Sequence, residues 1–444
     1  MKKARLLMAS LIAAAGIGMA GGASPASALF FSYTAGIQVQ NLSSTTANIV
    51  ITFYDAAGTV SGTTNDTIGG SSSKTYFPLN AVAAGFNGSA IVSADQQVAA
   101  VVNVLGNDGV AGASYIGMQA GANNLQIPLL MKGNFGFNTW FKVQNVGSAA
   151  TNITVNYTDG TSASANNVAP GAAATFDQAT ENHTLAVFAA TVASSGQPLV
   201  ASVIEESASS MFAYNGFTGG STNPVMPLIN ANNFGFITGV QIQNSGGSAS
   251  NVTVTYTSTG GATCTETQTI AANSSATFAL GVFTNGVAAG TTTNCTLGGT
   301  FVGSARVTGN SANMPLNVIV NQLNGSTGAG EAYSGFDPNA LTNKVVMPLI
   351  MDQNFGYITG FNLVNAGGAS TTVNCTFSGS AVTVNATLAA GAVLNDVQDG
   401  KLGAGYVGSA TCTGGAGAKL AAVVNELGSG GGDQFLVYEA INTP

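Results

Sequence analysis

The sequence predicts an all-β chain of four tandem sandwich modules, and three observations carry that prediction. First, one motif recurs four times, as LFFSYTAGIQVQN (29–41), NFGFNTWFKVQN (134–145), NFGFITGVQIQN (233–244) and NFGYITGFNLVN (354–365). The closing asparagines, Asn41, Asn145, Asn244 and Asn365, lie 104, 99 and 121 residues apart, too far for a solenoid and the right size for a domain. Second, a further string follows in the same order, as FNGSA (86–90), a degraded VFAAT (187–191), FVGSA (301–305) and YVGSA (406–410). Third, apolar residues alternate with polar ones over short runs rich in Val, Ile, Thr and Tyr, the mark of half-buried antiparallel strands.

Residues 1–28 carry Lys2, Lys3 and Arg5, then an apolar run from Leu6 to Met19, then the small residues Ala26, Ser27 and Ala28. That is the layout of an export signal peptide cut to leave Leu29 first. Module 1 is then 29–127, with Ile37 and Val39 on one strand and Ile49, Ile51 and Phe53 on the next. Modules 2 (128–225), 3 (226–346) and 4 (347–444) repeat the second set as Ile153, Val155, Tyr157, then Val252, Val254, Tyr256, then Val373, Cys375, Phe377. Each of these three opens at a Pro-Leu pair, at Pro128, Pro227 and Pro348, where a missing backbone donor suits an edge or linking strand. Stretches such as 194–197 and 290–293, rich in Gly, Ser and Thr, break the strands. About 100 residues of short strands with regular turn signals is the rhythm of an immunoglobulin-like β-sandwich. The linkers are short, so semi-rigid joints and an elongated rod are expected.

Removing the leader takes away three basic residues and no acid, which moves the formal net charge from −8 to −11. Seven Lys and Arg remain, too few to neutralise a nucleic-acid backbone. Charged residues make up 6% of the chain against a usual ~25%. Ser, Thr, Asn and Gly must fill the exposed polar positions, and little charge repulsion keeps copies apart. The same surface equally suits simple resistance to proteases outside the cell. No apolar run after the leader approaches the ~20 residues of a membrane helix, so no membrane insertion is expected. Cys264 and Cys295 fall in module 3, Cys375 and Cys412 in module 4, and an oxidising compartment would pair them within modules. Alignment of the repeats puts Cys375 at the Val254 position and Cys412 at the Val307 position, both inward, so that bridge is expected to cross the core.

Few residues offer reaction chemistry. His183 is the only histidine, in the polar stretch DQATENHT with Asp177 and Glu181 nearby; without a GxSxG elbow it reads as a surface-loop residue. Glu205 and Glu206 are adjacent, hence on opposite faces of a strand, which is the wrong geometry for a catalytic carboxylate pair. Asp396 and Asp399 are the densest acidic loop, yet the other copies do not reproduce them as a calcium site would. No CxxC spacing supports zinc. No enzyme activity, metal or cofactor is expected. Trp140, the sole tryptophan, stands where the other copies have Gly36, Gly239 and Gly360 and is expected to pack on its own domain or the next.

With its Pro-Leu leads, NFGF or NFGY strings and closing asparagines, the mature chain resembles the tandem immunoglobulin-like repeats of secreted bacterial surface proteins, of the surface-layer and extracellular-filament subunit type. The resemblance implies a structural role and carries over no catalytic residue. The leader cut falls inside the motif, so module 1 is expected to have a truncated first strand. The last strand, DQFLVYEAINTP, stops where internal modules run on into a Pro-Leu lead. Head-to-tail packing of two copies would set Phe435, Leu436, Val437 and Tyr438 beside Leu29, Phe30, Phe31 and Tyr33, covering exposed core and unpaired backbone. A contact of that kind builds an open fibre. The expectation is a secreted, extracellular or cell-surface subunit that polymerises with itself; the alternative is an adhesin that binds a cell-surface glycan.

Overall fold

The computed structural model describes residues 4–12, 30–278, 290–310 and 314–443, with backbone alone for 4–12. Two compact units, Met1–Thr218 and Gly219–Pro444, each hold two modules. Module 1 comprises β1 (Ala4–Ile12), β2 (Tyr33–Asn41), β3 (Ala47–Asp55), β4 (Val60–Ile68), β5 (Ser73–Tyr76), β6 (Asn87–Ala94), β7 (Val98–Gly106) and β8 (Ala111–Ile116). Module 2 comprises β9 (Asn124–Met131), β10 (Asn138–Asn145), β11 (Thr151–Tyr157), β12 (Ser162–Val168), β13 (Ala173–Asp177), β14 (Val187–Ser194), β15 (Leu199–Glu206) and β16 (Met211–Asn215). Module 3 comprises β17 (Val225–Ala231), β18 (Phe236–Asn244), β19 (Ser250–Ser258), β20 (Thr263–Ile270), β21 (Ser274–Phe278), the short β22 (Thr292–Thr293), β23 (Phe301–Gly309), β24 (Leu316–Asn324) and β25 (Gly330–Ser334). Module 4 comprises β26 (Lys344–Asp352), β27 (Tyr357–Asn365), β28 (Thr371–Phe377), β29 (Thr383–Leu388), β30 (Val393–Gln398), β31 (Tyr406–Thr413), β32 (Leu420–Gly428), β33 (Phe435–Glu439) and the short β34 (Ile441–Asn442). The first strands begin one to four residues ahead of the expected boundaries at 128, 226 and 347.

The sandwich architecture is as expected. Setting aside the short β22 and β34, the first, sixth, third and fourth strands of each module form one sheet in that order, and the fifth, second, seventh and eighth form the other. Immunoglobulin constant domains divide their strands as ABED and CFG; here strand two pairs with seven and strand three with six, a nested order. Alternation builds the first sheet: on β11 Ile153, Val155 and Tyr157 are buried while Asn152, Thr154 and Asn156 are exposed. The ladders place Ala90, Ala190, Ala305 and Ala410 opposite Phe53, Tyr157, Tyr256 and Phe377. The module 2 copy of the second string is therefore one residue out of the register read from the sequence.

The closing asparagine is a structural knot. Asn145 is fully buried; its amide donates to the carbonyls of Ala149 (2.8 Å) and Val168 (2.9 Å), and its Oδ1 accepts from Gly147 N. Asn41, Asn244 and Asn365 repeat all three bonds. One buried side chain thus ties strand two, its outgoing loop and strand four together, and its own polar atoms are all satisfied.

The Pro-Leu pair occupies a β-bulge. The register between first and sixth strands slips at Pro128-Leu129, Pro227-Leu228 and Pro348-Leu349, where proline's missing N–H costs no ladder bond. The leucine carbonyl so released accepts from a buried tyrosine of strand eight: Tyr214 to Leu129, Tyr333 to Leu228, Tyr438 to Leu349. In module 1 the corresponding place is held by β1, which pairs with β6 and slips between Met8 and Leu11. The first strand of module 1, expected to be truncated, is therefore complete in the full-length chain, supplied by residues 4–12 of the stretch expected to be a leader.

Within each unit the modules meet along a sheet face, where short joints were expected. Trp140, Ile204, Met211 and Ala213 on the outer face of module 2's second sheet are buried in the core cluster of module 1. Likewise Val423, Phe435 and Val437 of module 4 join the core of module 3.

Both disulfides, Cys264–Cys295 and Cys375–Cys412, are formed. Cys375 and Cys412 lie directly opposite on neighbouring strands of one sheet. This bridge faces the core without crossing it, correcting the expectation, because Val254 and Val307 are themselves ladder partners.

Candidate interaction surface

Every ladder in both sheets is antiparallel, and the tight turn at Asn134–Phe137 reverses the chain between strands one and two, so consecutive strands run in opposite directions. The connections one–two, three–four, five–six and seven–eight therefore gather at one end of each module, here the upper end. At the upper end of modules 2, 3 and 4 the NFG string forms a two-residue hairpin, with Asn134 N donating to Phe137 O (3.1 Å) and Phe137 N to Asn134 O (2.9 Å), and likewise for Asn233–Phe236 and Asn354–Tyr357. Such turns need positive φ at both central residues and favour Asn-Gly. Here the first central residue is Phe135, Phe234 or Phe355, at φ of 50°, 49° and 48°. These residues are 95%, 91% and 97% exposed.

The exposed large apolar residues are Phe30, Val60, Phe77, Val110, Phe135, Leu185, Phe234, Leu297, Phe355, Val397 and Val407 among the described residues. All eleven lie in, or within two residues of, an upper-end connection. Lower-end loops such as VGSAA (146–150) and SGGSA (245–249) carry small and polar residues instead. Among the described residues, the large exposed apolar side chains are thus sorted to one end of every module.

The residues expected at the junction between copies are mostly buried within the chain. Phe31 and Tyr33 are buried, and Tyr33 meets Trp140 edge-on at 5.8 Å. Phe435 to Tyr438 form most of β33, all buried, with Phe435 against Phe236 at 5.0 Å. Phe30 alone of the set is exposed, and Leu29 lies outside the described residues. These residues do join modules, but modules of one chain. Trp140 packs on the preceding module, neither its own alone nor the next.

Polar groups at these internal junctions are buried too. Glu206 accepts from Phe30 N (3.2 Å) and the Tyr33 hydroxyl, and burial pushes its carboxyl up. Its neighbour Glu205 is also buried. Glu439 accepts from Ser334 N and is likewise pushed up by burial. Lys142 donates to Asn87 Oδ1, and burial pushes its ammonium down to about 8.

His183 corrects the surface-loop expectation: its side chain is fully buried. The Nδ1 atom lies 3.0 Å from Asp159 Oδ2 and 3.2 Å from Thr161 Oγ1, the ring stacks on Phe188 at 4.2 Å, and Nε2 is 3.8 Å from Glu181 Oε2. Burial pushes the imidazole down, with Asp159 partly opposing. Burial also works against charged Asp159, but hydrogen bonds from Thr161, Thr184 and His183 outweigh it and hold the carboxyl at about 2. The cluster pins the three–four turn to the five–six loop. Asp396 pairs with Lys401 at 2.6 Å, while Asp399 accepts from Gln353. Among the described residues no three His, Cys, Asp or Glu side chains gather as a metal site, and no helix is long and apolar enough to cross a membrane.

Sequence reasoning used the NFG string only as a repeat marker and missed its rings. The available signal was a large apolar residue in the Asn position of an Asn-Gly turn.

No protein-family model matches the chain, and no curated protein matches it. Among solved structures, a tetra-tandem repeat from the extending region of a large adhesion protein matches over 94% of this chain and 96% of its own, at 12% identity with a TM-score of 0.09. The superposition at that score supports no further inference.

Proposed function

We propose that this chain is an exported, non-catalytic structural subunit that associates with copies of itself through the upper ends of its modules, building an extracellular filament or surface layer. The observation that carries the reading is the confinement of all eleven exposed large apolar residues among the described residues to those ends. Three of them are phenylalanines in a left-handed conformation that costs an L-residue about 1 kcal/mol each, a cost that persists where the ring has a use. Scarce surface charge favours association further, and two disulfides suit an oxidising compartment.

The test is sedimentation and negative-stain microscopy of the processed chain beside a Phe135→Ser, Phe234→Ser, Phe355→Ser variant. Polymers in the first and folded monomers in the second are expected; polymers of equal length in both would end the reading. One exposed ring per module in modules 2 to 4 also favours a second reading, an adhesin that stacks sugar rings on these phenylalanines. Saturable binding of polysaccharide by monomers, lost in the same variant, would favour it.

A further inference from the structure

We propose that the outer edge of β6 in module 1 is an acceptor site for an extended apolar segment from another polypeptide, opened when the leader is removed. The inference rests on residues 1–28 being a cleaved leader, and it stands apart from association through the upper ends.

All four modules have the same place for a first strand, and the register defines it. Met226 lies opposite Ala305 and Ile229 opposite Gly303 in module 3; Met347 lies opposite Ala410 and Ile350 opposite Gly408 in module 4. In module 1, Met8 lies opposite Ala90 and Leu11 opposite Gly88, with the same slip between them. The segment that completes module 1 is thus upstream of the expected cut after Ala28. Once it leaves, the backbone groups of β6 on that side lose their partners, and the core beside Val92 and Ala94 opens. Unpaired edge backbone over apolar core is what an added strand satisfies.

Exchange between copies cannot close this place. Each processed chain would have four places and three first strands, β9, β17 and β26, each already engaged in its own module. A swap of these strands moves the vacancy without filling it, which favours a segment of a different polypeptide as the occupant.

Its chemistry can be read from the three internal occupants. β17 is buried along its whole length, β26 at all but its first residue and β9 from Ile127 onward, so around the bulge the segment must be apolar on both faces, unlike the alternating strands of the same sheet. It must also tolerate a two-residue bulge, which Pro-Leu supplies in every internal copy. Tyr115 holds the strand-eight position from which Tyr214, Tyr333 and Tyr438 donate to the bulge leucine carbonyl. It is the residue that would read the same carbonyl in an incoming segment.

The experiment uses a synthetic peptide of residues 344–352, KVVMPLIMD, against the chain beginning at Leu29 and against a precursor whose cleavage is blocked by Ala28→Leu. Saturable one-to-one binding to the processed chain is expected, with protection of β6 amides from hydrogen exchange, and none to the precursor. Tyr115→Phe should weaken binding about fivefold, the loss of one hydrogen bond, while Tyr333→Phe should not. Equal binding to both chains, no binding, or β6 amides already protected in the peptide-free processed chain would overturn the proposal. A native chain that starts at Met1 would overturn it through the leader, and a Leu29 start without peptide binding through the acceptor site itself.

Discussion

The hydroxyl of Ser304 donates to the carbonyl oxygen of Gly391 at 3.1 Å, and Ser89 makes the same bond to Gly171 in the other unit. Both serines come from the second repeated string, and both glycines lie in the four–five loop of the following module. The two units therefore use one joining contact. Module 2 has Ala189 at the serine position. Removing a buried donor leaves its acceptor unsatisfied, which costs about 1 to 2 kcal/mol. Ser304→Ala should lower the stability of its unit by that amount in urea unfolding. Ser89→Ala should cost less, because Gly171 O also accepts from Gln144 Nε2 at 3.1 Å. Equal losses in the two variants would contradict the assignment.

Asn145→Asp replaces a donor amide with an acceptor facing two carbonyls. With one buried and one half-buried bond lost and like partial charges opposed, about 3 kcal/mol of destabilisation is expected. The loss should shrink in acid, where the protonated carboxyl donates again. A pH-independent loss would mean that the amide bonds are not its source.

The sandwiches, the four closing asparagines as repeat markers and the cysteine partners were legible because each rests on local alternation or on a repeated residue. Strand order was not, because alternation reports which face of a strand is buried and is silent on which strand lies beside it. Pairing of modules was hidden for a related reason. Met211 and Phe435 occupy outer-face positions of strand eight, and their meaning appears only once a second module covers them. His183 misled because its polar neighbours suggested solvent, while Asp159, 24 residues upstream, completes a buried cluster. The phenylalanine tips contradict the local turn rule, which is the kind of conflict expected where surface serves a partner.

Relief of that conflict can be measured. Phe234→Asn puts a residue tolerant of left-handed backbone at the turn without removing a buried contact. Stability should rise by about 1 kcal/mol while self-association falls. A variant that unfolds more easily would show that the ring supports its own module.

Burial raises the carboxyls of Asp177, Glu181, Glu206 and Glu439. The folded state then holds protons that the unfolded chain has released, so their stabilising effect is present below the ordinary carboxylate range and is lost as pH rises through the raised values. His183 and Asp159, both shifted down, act in the opposite sense. The histidine contribution is present above about 6.5 and is lost as pH falls through its lowered value; that of Asp159 is lost as pH falls through about 2. Glu206→Gln keeps the group neutral at every pH, so the melting temperature of the variant relative to the parent should rise from pH 4 to pH 8. A constant difference across that range would show that Glu206 does not titrate there.

Unit 1 contains no cysteine, while unit 2 holds both bridges, so reduction should act on one half of the chain. At the ladder positions of Cys375 and Cys412 the other modules carry Ile51 with Val92, Val155 with Val192, and Val254 with Val307. A valine pair therefore fits that site, and Cys375→Val with Cys412→Val should lose mainly the loop constraint, at most about 4 kcal/mol for the 37-residue separation. The alanine pair should lose a further 1 to 2 kcal/mol, roughly, as unfilled core. In hydrogen exchange, amides of β28 and β31 should lose protection in the valine variant while those of β11 and β14 keep theirs. Equal loss in both units would show that the bridge supports more than the module that carries it.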